Sequence, residues 1–318
     1  MRHLAFLLAL LPLAAQSPDE EMARLRDADQ AIRQGPMPTD EVGIRNIEVQ
    51  ERQRRDPARA LLREDRLVDA HSYDAAALIF QHGEAPDDLL VARELALLAC
   101  FRKATYGNMP FLAEDRFLVR LGRPQRFGSQ YRDRQREAVQ EKGDSAVTDA
   151  LRLDAFLPPL LGRSRTPEEA NAEAASGIMT RIRGRMRPDA KGPDWITDPA
   201  RSPAAPLLAG LDIKEDPARL RAKLLDLYRR DQFFIPGDYH RAAELLLVAA
   251  KDSSDLLLAN EWAALAVMRL HGPAWRTFAE SWDRFAQSIG QSPRYGTKPG
   301  SVPASTSPPA VLRALAGR

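Results

Sequence analysis

The stretch "DDLLVARELALLA", Asp87 to Ala99, is written again as "SDLLLANEWAALA", Ser254 to Ala266, at an offset of 167 residues. Its neighbours repeat with it. "SYDAAALIF" (Ser72 to Phe80) is answered by "DYHRAAELL" (Asp238 to Leu246) at 166, and "DRFLVRLG" (Asp115 to Gly122) by "DRFAQSIG" (Asp283 to Gly290) at 168. The offset changes only between these blocks, in "QHGEAPD" and around "RKATYGN", where loops belong. Insertions in loops and none in helices predict a duplicated helical unit. "DPAR" also recurs at Asp56 and Asp216, but its spacing to the next block differs and it carries less weight.

Helix punctuation is frequent elsewhere and strand signals are nearly absent. Ser17-Pro18-Asp19-Glu20 is a capping box with proline at the first helical position, Gly35-Pro36 stops what it starts, and Thr166-Pro167-Glu168-Glu169 repeats the device. Trp275, Phe278, Trp282, Phe285 and Ile289, spaced by 3, 4, 3 and 4, fall on one helix face. The chain therefore reads as all-α: two related helical-hairpin units, packed as a bundle or a short TPR-like solenoid and joined by a linker. The divisions are a leader over 1–16, a first unit over 17–143, connecting helices and a proline-rich linker over 144–215, a degenerate second unit over 216–297, and a tail over 298–318. The tail is poor in bulky residues and is expected to be mostly disordered, with a short terminal helix. Arg181 to Arg187 form the basic end of a connecting helix and suit its macrodipole.

With 318 residues, 44% of them apolar, the chain can bury a sizeable core, and a formal charge of +2 gives no general attraction to nucleic acid or anionic membrane. "MRHLAFLLALLPLAA" has the basic start, short apolar run and small residues of a signal peptide; it is too short to span a bilayer, and no cysteine follows it to carry a lipid. The expectation is an exported protein, periplasmic or secreted, without a stable membrane anchor. Its one cysteine, Cys100, lies in "LALLACF" and reads as a buried helical thiol.

No HExxH, paired CxxC, GxGxxG, phosphate-binding loop or GxSxG occurs, so no metal or cofactor is expected from motifs. Both copies place a glutamate on an apolar helical stripe, Glu94 and Glu261. A buried carboxylate needs a partner, and Arg116 and Arg284 on the following helices are the expected ones, one structural tie in each copy. The turn "GRPQRFGSQY" (Gly122 to Tyr131) returns as "GQSPRYGT" (Gly290 to Thr297), with glycine where a left-handed helix cap wants it and an aromatic folding back on its unit. Polar residues that differ between the copies lie in the first: Gln81-His82 against Val248-Ala249, and Gln125 and Gln130 against Pro293 and Lys298. The arginines around the turn form a basic patch, which acidic neighbours and export argue against reading as a nucleic-acid surface.

These first-copy residues resemble a bacterial family of unknown-function domains (domain of unknown function 6624). Its members show "DQ" followed by arginine, "QH" after an apolar helix, and "DR" leading to G-x-PQ-x-(Y/F)-G-(T/S)-Q. Here these are Asp29-Gln30 with Arg33, Gln81-His82, Asp115-Arg116, then Gly122, Pro124-Gln125, Phe127, Gly128, Ser129 and Gln130. Phenylalanine and serine stand where tyrosine and threonine are usual. The resemblance implies a mainly helical bacterial domain and no particular activity. Two functional expectations follow from the residues. One is a non-catalytic binding or scaffolding module for a protein or small ligand, using Gln125, Arg126 and Gln130; the other is an enzyme using His82, Glu94, Asp115 and Arg116.

Overall fold

Aspartate, serine and proline open most helices where the sequence places them. In the computed structural model, which describes residues 16–35, 38–130, 146–159, 167–189, 194–297 and 307–315, Ser17 and Glu20 form the expected reciprocal capping box. The leader lies outside the described residues, except for residue 16. The first unit runs through α1 (Pro18–Gln34), α2 (Glu41–Arg63), α3 (Ala70–Phe80), α4 (Pro86–Phe101) and α5 (Met109–Arg120). Connecting helices α6 (Asp149–Asp154), α7 (Pro167–Arg185) and α8 (Ala205–Ala209) lead to α9 (Pro217–Arg229), α10 (Pro236–Ala249), α11 (Ser253–Met268) and α12 (Ala274–Ser288), and α13 (Pro309–Leu315) follows. No strand occurs among the described residues.

The two units turn their corners alike. Within the units the left-handed residues pair off as Asp65 with Asp231, Lys103 with Leu270, Gly122 with Gly290 and Gly128 with Gly296; Phe156, after α6, is outside the pairing. Each of the first three pairs ends a helix with the same backbone bond: Arg66 N–H to Leu61 O and Gln232 N–H to Leu227 O, Ala104 N–H to Ala99 O and His271 N–H to Ala266 O, Arg123 N–H to Leu118 O and Gln291 N–H to Ala286 O. This register sets α2 against α9 at an offset of 166, so "DPAR" at Asp56 and Asp216 is not a structural match. Instead Arg55 and Arg221 correspond, each facing the aspartate at the start of the central helix, Asp88 or Asp255.

Central helices α4 and α11 are buried almost all round and pack against each other. At their crossing Arg93 donates through Nη2 to Oδ1 of Asn260, its own counterpart in the other unit, at 2.7 Å. Equivalent positions that touch each other mark a two-fold relation, so the units face one another rather than stack as a solenoid. Cys100, sealed in α4, has its thiol pushed up by burial to about 12. The predicted aromatic face of α12 is buried through Trp275, Phe278, Trp282 and Phe285, with Ile289 packed at its edge.

The repeated turn explains itself in this frame. Asp115 accepts the backbone N–H groups of Arg126, Phe127 and Ser129 at 2.7, 2.9 and 2.8 Å; Asp283 accepts those of Arg294, Tyr295 and Thr297 at 2.7, 2.9 and 2.8 Å. The aromatic folds back as expected, Phe127 on Phe111 and Tyr295 on Phe278. The arginine before it crosses to the other unit. Arg126 grips Glu261 through Nε and Nη2 at 2.5 and 3.0 Å, and Arg294 grips Glu94 at 2.6 and 2.9 Å. Their Nη1 atoms also correspond, Arg126 to Ser254 Oγ and Arg294 to Asp87 Oδ1. The expected ties of Glu94 to Arg116 and Glu261 to Arg284 are therefore corrected. Arg116 and Arg284 instead cap the preceding hairpin, donating from Nη1 to Gln81 O and Leu247 O, each at 2.7 Å.

Segments between and after the units are more structured than their composition suggests. Asp154, fully buried at the end of α6, collects Arg181, Arg185, Arg269 and the Tyr239 hydroxyl. Burial pushes its carboxyl up, but the three guanidinium groups outweigh this and hold it well below the usual carboxylate range. The basic end of α7 is thus an anchor rather than a macrodipole complement alone. The proline-rich linker buries Trp195 and Ile196, with Arg269 over the Trp195 ring. In the tail, expected to be mostly disordered, α13 buries Ala310 and Val311, and Ser307 donates to Glu94 Oε1 at 2.8 Å.

Removing one member of an exchanged pair strands a buried charge. Arg126→Met is expected to cost about 3–5 kcal/mol in urea unfolding, and adding Glu261→Leu to recover most of it. Arg294→Met should behave alike. A loss below about 1 kcal/mol for both single variants would count against the tie.

Candidate functional site

The family-like motifs, scattered through the first unit in sequence, meet at one end of it. α1 supplies Asp29, Gln30 and Arg33, the last two within reach of the first: Gln30 Nε2 lies 3.0 Å and Arg33 Nε 3.3 Å from Asp29 Oδ2. α2 adds Glu51, which accepts from Arg33 Nη2 at 2.6 Å, and Arg54 and Arg55 one turn on. The end of α3 presents Gln81 and His82. Arg116 of α5 holds the Gln81 carbonyl, and Arg55 Nη1 lies 3.4 Å from that of His82.

At the centre is a carboxylate–imidazole pair. His82 Nδ1 lies 3.0 Å from Asp29 Oδ2. Burial pushes the Asp29 carboxyl up, yet His82 and Arg33 together hold it below its ordinary value. Burial pushes the His82 imidazole down, more than Asp29 raises it, and Arg33 and Arg116 press the same way. The pair is therefore an ionised aspartate and a neutral histidine at neutral pH, which assigns the proton to Nδ1 and leaves Nε2 as an acceptor without a partner among the described residues.

The turn closes the far side. Gln125 is clamped to the backbone of Gln130 in both directions, at 3.1 and 2.8 Å, and the Gln130 side chain accepts from Arg116 Nε at 3.0 Å. Burial pulls the Arg116 guanidinium down from its ordinary value, with Arg33 and Arg120 adding repulsion.

The structure brings together His82, Arg116 and Gln130 of the expected site residues, with Gln125 bracing them from inside. It separates the others. Arg126 is consumed by Glu261, so Gln125, Arg126 and Gln130 do not form a common surface. Glu94 belongs to Arg294 and Ser307, and Asp115 anchors the turn, so neither joins His82. Residues not expected at the site are Glu51, Arg54 and Arg55; Asp29 and Arg33 were visible only as motif members, though their i, i+4 spacing is that of a helical ion pair.

In the second unit the cap bond from Arg284 shows that Leu247 and Val248, rather than Val248 and Ala249, stand where Gln81 and His82 do. The polar site has no counterpart there. That unit carries a different pair, His240 Nδ1 to His271 Nε2 at 3.0 Å with Thr277 Oγ1 at 3.1 Å from His240 Nε2. Among the described residues no group of three or more His, Cys, Asp and Glu side chains is arranged to hold a metal ion, and no helix is long and apolar enough to cross a membrane. No family model matches the chain, and neither a curated protein nor a solved structure does.

The neutral form of His82 stabilises the fold above the ordinary imidazole pKa of about 6.5, and this contribution is lost as pH falls through the lower folded value. Asp29, also lowered, loses its contribution in the same direction at lower pH. Burial raises Glu114 and Glu261, which titrate in the opposite sense in both proteins, so the difference between the two proteins reports the Asp29–His82 pair. His82→Asn should start less stable at pH 7 and lose less on acidification to about pH 5 than wild type. Equal slopes in urea midpoints across that range would contradict the assignment.

Proposed function

We propose that the chain is an exported bacterial binding module, related to the unknown-function family its first half resembles and built from a duplicated helical unit, whose ligand site is the Asp29, His82, Arg116 and Gln130 cluster. The observation that carries the reading is convergence. Residues from α1, α2, α3, α5 and the turn assemble one half-buried polar cluster in the first unit, while the second unit keeps the cap bond and the turn but puts Leu247 and Val248 in place of the polar pair. In this reading the second unit is the structural partner. It fills the back of the first and supplies Glu261 and Arg294 to the exchanged pairs. The ligand is a small molecule or the polar end of a partner protein.

A second reading has one observation in its favour. An aspartate that orients a neutral histidine, leaving Nε2 free, is an arrangement that acid–base enzymes use. Glu94 and Asp115 do not contribute to it, and the set reduces to Asp29, His82 and Arg116.

The two readings separate in one experiment. Wild type and His82→Asn are incubated with a small-molecule extract of a bacterial envelope, and bound and free compounds are compared by mass spectrometry. The binding reading predicts a compound retained unchanged by wild type and lost by the folded variant. A compound consumed by wild type and not by the variant would replace it with the enzymatic reading, and a compound retained equally by both would remove the site from either.

A further inference from the structure

The first-unit site holds more hydrogen-bond donors than acceptors. Arg33, Arg54 and Arg116 lie around Asp29 and Glu51, and Arg55 is shared between Glu51 and Asp88, which also takes Arg59. Arg54 is buried to 8% exposure, and its Nε and Nη2 make no hydrogen bond; Asp29 Oδ1 stands 3.6 Å from Nε. Buried donors left in this way call for an acceptor. Arg116 donates from Nε to Gln130 and from Nη1 to Gln81, both neutral oxygens, and its Nη2 has no partner among the described residues.

A purely architectural account covers only part of this. The cap bond of Arg116 is matched by that of Arg284, and in the second unit nothing is added to it but apolar Val248 beside the cap. The first unit adds His82, Gln130 and Arg33 around the same guanidinium, and Arg54 behind Asp29. A helix end needs none of them.

We propose that this site takes a small oxyanion, a phosphoryl or carboxylate group, bound by Arg116 Nη2 and Arg33 Nη1, with His82 Nε2 accepting a hydroxyl hydrogen of the same ligand. Guanidinium forks match the planar or tetrahedral array of oxyanion acceptors, and the surplus positive charge excludes a cation. His82, with its proton committed to Asp29, discriminates by what it accepts. Monohydrogen phosphate offers an O–H to Nε2; acetate offers none.

The inference rests on the binding reading above and names its ligand class. Its test uses the full chain with inorganic phosphate and acetate as probes, each against chloride at equal ionic strength, read by thermal midpoint and calorimetric titration. Either anion is expected to raise the midpoint above chloride, and Arg116→Gln to weaken it roughly ten- to a hundredfold. Arg284→Gln loses the same cap bond in the other unit and should keep the response. Arg33→Gln serves in place of Arg116→Gln should that variant not fold. A phosphate response reduced again by His82→Asn identifies a phosphoryl ligand; an acetate response indifferent to His82→Asn identifies a carboxylate. Neither anion acting above chloride, or a response that survives in Arg116→Gln and Arg33→Gln, overturns the proposal. A neutral compound retained by wild type and lost by His82→Asn would leave the binding reading standing while the oxyanion claim fell.

Discussion

A carboxylate buried in an apolar helix is tolerable only when a cation reaches it, and here the cation comes from the opposite unit. Glu94 and Glu261 sit on the two central helices, and each is gripped in bidentate fashion by an arginine held on the other unit's turn. The rest of the arrangement follows from how those arginines are presented. Asp115 and Asp283 fix the turns by taking three backbone N–H groups each, left-handed Gly128 and Gly296 let the chain double back, and the aromatic pins the turn to its own unit. The tie runs in both directions, so neither unit contains all the partners of its own buried charge.

This division of labour frees one end of the first unit. Because Arg126 serves the interface and Arg116 needs only two of its nitrogens for the hairpin cap and Gln130, its third nitrogen is left over in the neighbourhood of His82 and Arg33. α1 then closes the cluster with Asp29, which no helix of the second unit supplies. Asymmetry between two similarly built units thus locates the site better than any single residue does.

Much of the architecture is legible in the sequence because helical register is written in local spacing: the three repeated blocks, their glycine caps and the aromatic face of α12 lie where the spacing puts them. The partners of the buried glutamates are not legible. Periodicity reports that Glu94 lies on an apolar stripe but not which unit covers it, and its true partner is 200 residues away rather than on the next helix. Asp154 is hidden for a similar reason, since a six-residue helix gives no periodic signal and its three arginines come from α7 and the cap just after α11. At the site, Gln81-His82 and Arg116 stand out as differences or motif members, whereas Glu51, Arg54 and Arg55 sit in the charged run "QERQRRDPARA", whose composition reads as solvated surface. Gln125 and Arg126 mislead because polar turn residues usually face water, and here they serve the turn and the interface.

Unfolding followed by two probes at once addresses the exchanged ties most directly. Trp262, packed on Tyr228 and Phe233, reports the second unit once Trp195, Trp275 and Trp282, which touch Tyr106, Phe101 and Phe117 of the first, are replaced by phenylalanine, while hydrogen exchange in α3 to α5 reports the first. Mutual dependence predicts one cooperative transition, with coincident midpoints in urea for both probes. Loss of protection in α3 to α5 at clearly lower urea than the fluorescence change would show that the units stand independently and that the ties do not hold the fold together.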